Sequence, residues 1–207
     1  MGQQEAGAAK SHGMSMCTDA PSDQPPDAHR AHVDPTRASP KGAPVDTEAG
    51  CLGLRIAPDG TWLYQGSPIE RQELVKLFAS VLRREADGSY WLVTPVERGR
   101  IEVDDVPFVA VELRTEGTGV QRTVRLRTNL EEWLTLGPRH PLQVRRRAGE
   151  AADAGPVPYV EVRPGLEARL VRPVYYELVE LGEERQEDGR ARFGIWSEGR
   201  FFALDEP

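Results

Sequence analysis

The chain has 207 residues, with 33 acidic against 26 basic side chains and a formal net charge of −7. That balance argues against sequence-independent binding to a nucleic-acid backbone, whose affinity comes from clustered basic charge. No stretch approaches the roughly 20 apolar residues of a membrane-spanning helix, and no apolar secretory core is present, so a cytoplasmic protein with no membrane and no nucleic-acid polymer among its partners is expected.

Residues 1–50 contain no aromatic side chain, six prolines, and Val33 and Val45 as their only large aliphatic residues besides methionine. Such a segment cannot bury enough apolar surface to offset about 1–2 kcal/mol of chain entropy per residue, and it is read as a disordered, Pro-rich tail. Met14 and Met16 are alternative starts. Both cysteines, Cys17 and Cys51, and three of the four histidines lie in or beside this tail. Their spacing matches neither a disulfide framework nor a closed zinc site, and no metal or cofactor is expected.

The folded body is expected from residue 51, divided into an N-terminal α+β domain at 51–96 and a C-terminal α+β domain at 97–207. Pro58-Asp59-Gly60 is a turn signal, followed by a strand over Thr61–Gln65. Ser67, Pro68 and Glu70 have the spacing of a helix capping box. Leu74, Leu77, Phe78, Val81 and Leu82 then repeat as one apolar helical face. Asp87-Gly88 ends the helical region, and Tyr90–Val93 is the returning strand.

A β-rich stretch follows, with Ile101 and Val103 alternating with charges, a run from Phe108 to Leu113, a Gly117-Thr118-Gly119 turn, and a strand from Val120 to Leu126. In that strand Val120, Val124 and Leu126 face one way, and Gln121, Thr123 and Arg125 the other, which predicts an antiparallel hairpin with one wet side. Leu142 and Val144 suggest another strand, and Tyr159–Val162 one more. Arg145-Arg146-Arg147 is either an anion contact or the solvated end of a strand. Pro173 would break a helix interior, so the second long helix is expected to begin near it, with Leu166–Val171 extended or irregular. Glu183–Gly189 reads as a charged loop, and Arg192–Trp196 with Phe201–Leu204 as a closing hairpin.

One regularity runs through these elements. The segment around Trp62-Leu63 and Ile69-Glu70 recurs 97 positions later as Tyr159-Val160 and Leu166-Glu167, and Leu74, Leu77, Phe78, Val81 and Leu82 fall on Val171, Val174, Tyr175, Leu178 and Val179. Two copies of one strand-helix-strand unit are predicted, with antiparallel sheets, since a stacked solenoid needs at least three repeats.

The runs Pro68-Ile69-Glu70-Arg71, Thr94-Pro95-Val96-Glu97, Val106-Pro107-Phe108-Val109, Thr128-Asn129, Tyr159-Val160-Glu161-Val162-Arg163, Gly165-Leu166-Glu167-Ala168, Arg172-Pro173-Val174-Tyr175 and Trp196-Ser197-Glu198-Gly199 resemble, in order and spacing, the bacterial family of domain of unknown function 1285. The resemblance covers residues 52–205. It implies a duplicated α+β core, a C-terminal domain loosely like the pleckstrin-homology fold, and a nucleotide-type ligand between the domains in signal transduction.

Three functions are weighed on these residues. A regulatory ligand-binding protein without a catalytic centre would use Arg71, Arg169 and Arg172 as phosphate donors, Thr128 and Asn129 as polar contacts and Tyr175 as a wall, with Glu97 beside them. Arg71 and Arg172 would otherwise form ordinary ion pairs, and Tyr175 would otherwise be core. A protein-interaction module would use Trp133, Phe201 and Phe202 as anchors. A hydrolase would need Glu97, Glu102, Asp104 and Asp105 to converge, or His140 to act as a base. No nucleophile elbow or phosphate-cradling glycine loop supports catalysis.

Overall fold

The computed structural model describes residues 50–147, 155–187 and 189–205, so the predicted tail lies, apart from Gly50, outside the described residues. The first part of the body runs β1 (Cys51–Ile56), β2 (Trp62–Tyr64), β3 (Ser67–Pro68), α1 (Gln72–Val81), β4 (Leu82–Arg84), β5 (Tyr90–Val93) and β6 (Arg98–Val103). These strands make one six-stranded sheet in the order β3-β2-β1-β6-β5-β4. Each half is an antiparallel meander, and the halves join through β1 and β6, which run parallel. Cys51 lies at the start of β1, and Cys17, the other cysteine, lies outside the described residues.

The predicted turn at Pro58-Asp59-Gly60 is present. The Asp59 carboxylate accepts from the Thr61 amide at 2.9 Å, and Gly60 takes φ +83°, a value a Cβ would strain. The predicted capping box is not formed. Ser67 and Pro68 pair with Tyr64 and Leu63 as β3, and the Ile69 amide donates to the Trp62 carbonyl, so the cross-strand ladder takes the backbone that a helix start would have used. α1 begins at Gln72 without a side-chain cap. Its buried face is also rotated from the predicted one: Val75 and Ala79 are buried, Leu77 is 59% exposed, and Leu82 belongs to β4. Asp87-Gly88 forms the β4–β5 turn, where the Asp87 carboxylate accepts from the Ser89 amide.

The second part runs β7 (Phe108–Glu116), a 3-10 turn at Gly119–Gln121, β8 (Thr123–Thr128), β9 (Trp133–Thr135), β10 (Leu142–Arg145), β11 (Val157–Arg163), β12 (Leu166–Leu170), α2 (Arg172–Glu180), β13 (Glu183–Glu187), β14 (Arg190–Ser197) and β15 (Arg200–Ala203). β7–β12 form a second six-stranded sheet in the order β10-β11-β12-β7-β8-β9, again with a parallel central pair, β12 with β7. Both large sheets are therefore mixed rather than purely antiparallel as predicted. β13, β14 and β15 make a separate antiparallel sheet. Glu183–Glu187, a charged loop by its sequence, is instead its edge strand β13; an all-polar edge strand discourages further pairing.

Two sequence expectations are met closely here. β8 buries Val124 and Leu126 completely and turns Thr123, Arg125 and Arg127 outward, although Val120 is in the 3-10 turn and half exposed. α2 starts at Arg172 with Pro173 in its first turn, where a missing amide leaves no bond unmade, and Leu166–Leu170 is extended.

One contiguous core runs through all three sheets, from Trp62 and Leu82 through Phe108, Leu126 and Val160 to Leu178 and Ile195. No helix among the described residues is long and apolar enough to cross a membrane.

Candidate functional site

The turn between β6 and β7 carries Asp105, whose side chain is only 7% exposed. A carboxylate so far from water must be held by donors and counter-charges. The Tyr159 hydroxyl donates to Asp105 Oδ1 at 3.1 Å, Arg169 Nε stands 3.3 Å from Oδ2, and Arg147 Nε 3.6 Å from Oδ1. The Arg169 contact is an ion pair without hydrogen-bond alignment, since neither Arg169 Nε nor Asp105 Oδ2 has a hydrogen-bond partner. Arg169 also donates through Nη2 to the Pro58 carbonyl at 2.7 Å, tying β12 to the β1–β2 turn.

A second layer lies over this one. The Arg145 guanidinium sits 3.8 Å from the centre of the Tyr159 ring and bonds both Glu167 oxygens at 2.7 Å. This is the bidentate geometry that makes arginine–carboxylate pairs strong. Burial, then the charge of Asp105 and its hydrogen bond, push the Tyr159 hydroxyl up to about 12 from an ordinary value of 10.0.

That shift sets an alkaline limit on stability. Because the folded-state value is raised, the neutral hydroxyl's contribution is complete below about pH 10 and is lost as pH rises through about 12, by about 1–2 kcal/mol once solvent screening is allowed for. Urea midpoints at pH 8, 10, 11 and 12 should therefore fall more steeply for wild type than for Tyr159→Phe. Parallel curves would show that the hydroxyl is solvated.

Beside this network, and sharing Arg145 and Glu167 with it, a polar cleft of about 420 Å³ opens between the two large sheets. Arg84, from the end of β4, lines one side; Gln143, Arg145, Glu161 and Glu167, from β10, β11 and β12, line the other. Strand alternation explains the second wall, because Leu142 and Val144 are buried and Gln143 and Arg145 point away from them. The Arg84 guanidinium lies over the Tyr90 ring at 5.5 Å and makes no hydrogen bond or ion pair among the described residues. One Glu161 oxygen accepts from the Gly165 amide at 3.1 Å. The cleft thus offers a free guanidinium and carboxamide beside carboxylate acceptors.

None of the seven residues selected from sequence lines this cleft. Asn129 and Arg169 do meet at the β1–β2 turn, with Thr128 next in the chain, but all three act as braces. The buried Thr128 hydroxyl accepts from the Leu130 and Glu132 amides. The Asn129 side chain accepts from the Val109 amide and donates to the Gly60 carbonyl. Arg71 is the exposed N-cap of α1, next to Gln72, which reaches the Asn129 carbonyl. Glu97 lies apart, at an apolar cavity beside α1. Arg172 is exposed at the start of α2, and half-buried Tyr175 donates to the Leu204 carbonyl at 3.4 Å.

The acidic residues weighed for hydrolysis do not converge: Asp104 is bidentate to Arg55, Asp105 is held as above, and no group of three metal-capable side chains occurs among the described residues. His140 Nδ1 lies 2.9 Å from the Glu161 carbonyl. Of the proposed anchors, Phe202 is buried, while Trp133 lies beneath Arg114 and Arg125.

The described body is a sheet-rich α+β protein of two domains. It belongs to the DUF1285 family of unknown function: the model of the family's N-terminal domain matches residues 44–106 and that of its C-terminal domain residues 107–204. The two matches meet where the chain passes from the first large sheet to the second, so the cleft lies between the family's two domains. A crystal structure of a DUF1285 family protein from Silicibacter pomeroyi DSS-3 is similar at 45% identity and a TM-score of 0.67, covering 75% of this chain and 80% of that one. Another, from Shewanella baltica OS155, has 27% identity and a TM-score of 0.46, covering 62% and 91%. No curated protein matches the chain.

Proposed function

We propose that the protein is a cytoplasmic, ligand-binding regulatory protein that takes a nucleotide-type small molecule in the cleft between its two domains and acts in signal transduction. The observation that carries this reading is the donor and acceptor set of the cleft. Arg84 comes from one domain, stacked on Tyr90 with no carboxylate partner among the described residues, and Arg145, already oriented by Glu167, comes from the other. Two guanidinium groups suit a phosphate, and the carboxylates of Glu161 and Glu167 suit ribose hydroxyls or base amino groups. Junctions between domains are where such ligands usually bind. Because the walls belong to different domains, a ligand bridging them would stabilise one relative arrangement, which is the physical basis of a regulatory response.

The duplicated architecture belongs to the same proposal. A three-stranded meander, a helix and a second three-stranded meander occur as β1–β6 around α1 and again as β10–β15 around α2. In the first copy the outer strands pair as β1 and β6, whereas in the second β12 pairs with the inserted strand β7, and β13–β15 form a separate sheet packed against β8 and β10. The pleckstrin-homology-like reading of the second domain rests on its six-stranded sheet followed by a helix packed on β7.

Calorimetry of the full chain with purine mono-, di- and cyclic nucleotides tests the ligand. At least one should bind saturably, and Arg84→Ala should weaken it tenfold or more, the equivalent of about 1.4 kcal/mol. No heat at millimolar nucleotide would end the proposal.

A further inference from the structure

A second cavity, of about 470 Å³, shares no lining residue with the cleft. Its walls come from β1 (Leu52, Leu54), β5 (Leu92) and α1 (Leu74, Phe78, Val81). Leu54 and Leu92 are core residues, so the cavity reaches the interior of the N-terminal domain. Gly99 helps to shape it. A Cβ there would stand 2.3 Å from Leu52 Cγ, so only glycine lets Leu52 lie down on β6.

The polar groups of this cavity are few and of one sign. No lysine or arginine lines it, and its single charged side chain is Glu97. The Thr94 hydroxyl is committed, donating to the Glu97 carbonyl at 2.9 Å and accepting from the Glu97 amide at 3.0 Å. These bonds hold the Thr94–Glu97 turn, while the Glu97 carboxylate itself makes no hydrogen bond or ion pair among the described residues. Tyr64, half exposed, also lines the cavity, and exposed Val93 and Val96 flank Thr94 and Glu97 in the chain. The volume and apolar lining are those of a small-molecule site, which holds an apolar body and orients it by one or two polar contacts.

We infer that this cavity binds a small cationic amphiphile, with its hydrocarbon body between α1 and the sheet and its ammonium group on the Glu97 carboxylate. The charge decides the class. A fatty acid or lipid phosphate would bring an anion to a site that has no cation and one carboxylate, whereas an ammonium group meets a complementary charge. The site is independent of the nucleotide proposal, since neither Arg84 nor any other cleft residue contributes to it.

The test is calorimetric titration of the full chain with n-octylammonium and with n-octanoate, on wild type, Glu97→Gln and Leu74→Trp. Octylammonium should bind wild type saturably, one per chain and at least tenfold more tightly than octanoate. Glu97→Gln should bring the two probes to similar affinity, which separates a local contact from general attraction to an acidic protein. Leu74→Trp should fill the cavity and abolish binding of both while leaving the circular dichroism spectrum unchanged. Octanoate binding as tightly as octylammonium, octylammonium binding Glu97→Gln undiminished, or no saturable binding to wild type would each overturn the proposal. If Leu74→Trp does not fold, Glu97→Gln decides the matter alone, because its side chain is exposed and supports no packing.

Discussion

Asp105→Ala should lower the unfolding free energy by about 3–5 kcal/mol, measured as the urea midpoint at pH 7 with unchanged slope. The substitution does more than delete one ion pair. It takes a counter-charge from Arg169 and Arg147 and the acceptor from the Tyr159 hydroxyl, whose ring already carries the Arg145 guanidinium over it. Three side chains converge on one buried carboxylate, and removing it takes away the negative charge that both arginines share. Both arginine partners are about a quarter exposed, which places the effect towards the lower end of the range. Asp105→Asn keeps an acceptor for Tyr159 while removing the charge, and should fall between alanine and wild type. The alanine variant should also lose part of the upward shift of the Tyr159 hydroxyl, since the charge of Asp105 is its second cause after burial. An alanine variant as stable as wild type would mean that water, rather than the arginines, balances Asp105.

The network around Asp105 shows what sequence could and could not reveal. Turns and one-sided strands were legible because their causes are local: Gly60 at positive φ with an Asp59 cap, Pro173 in a first helical turn, alternation through Val124 and Leu126. The Ser67-Pro68-Ile69-Glu70 signal was equally local and was overridden. The turn before it uses Gln65 at φ 48° and Gly66 at φ 81°, which brings Ser67 back against Tyr64 as a strand. Gln65 carries no marker for that conformation, so the hairpin was not readable. The parallel pairs β1–β6 and β12–β7 link segments far apart in the chain, and no local pattern encodes them. They nevertheless decide which arginines meet. Arg145 is visible in the sequence only as part of a basic run, and its role depends on Glu167 lying two strands away, across β11 on β12.

The repeat illustrates the same limit. An alignment without gaps places Tyr159 on Trp62, and both are buried. In the helices, however, the buried pair Val75 and Ala79 of α1 corresponds to Val174 and Leu178 of α2, two residues beyond the ungapped match. The longer strand β12 before α2 accounts for the slip. The ungapped match would instead set buried Val75 against exposed Arg172 and exposed Arg71 against buried Ala168.

Ser197→Val should cost about 3 kcal/mol, although it removes no charge and adds apolar volume. Arg125 pairs with Thr135 at the end of the β8–β9 ladder, and the next pair, Val124 with Leu136, is only half closed: the Leu136 amide donates to the Val124 carbonyl at 2.9 Å. The Ser197 hydroxyl occupies the other half. It accepts from the Val124 amide at 3.0 Å and donates to the Leu136 carbonyl at 2.7 Å, with no exposure to solvent. Valine would leave a buried donor and a buried acceptor unmade, each worth about 1–3 kcal/mol, and its methyl would hold the two strands too far apart to bond directly. The same junction docks the small sheet on the second domain, through the Glu198 amide to the Arg122 carbonyl and Arg122 Nη1 to the Leu181 carbonyl. Ser197→Val should therefore also raise amide exchange across β14 and β15. Ser197→Ala leaves room for the ladder to close or for a water, and should lose no more than about half as much as valine. Equal losses in the two variants would show that the hydroxyl fills space and does not bridge the strands.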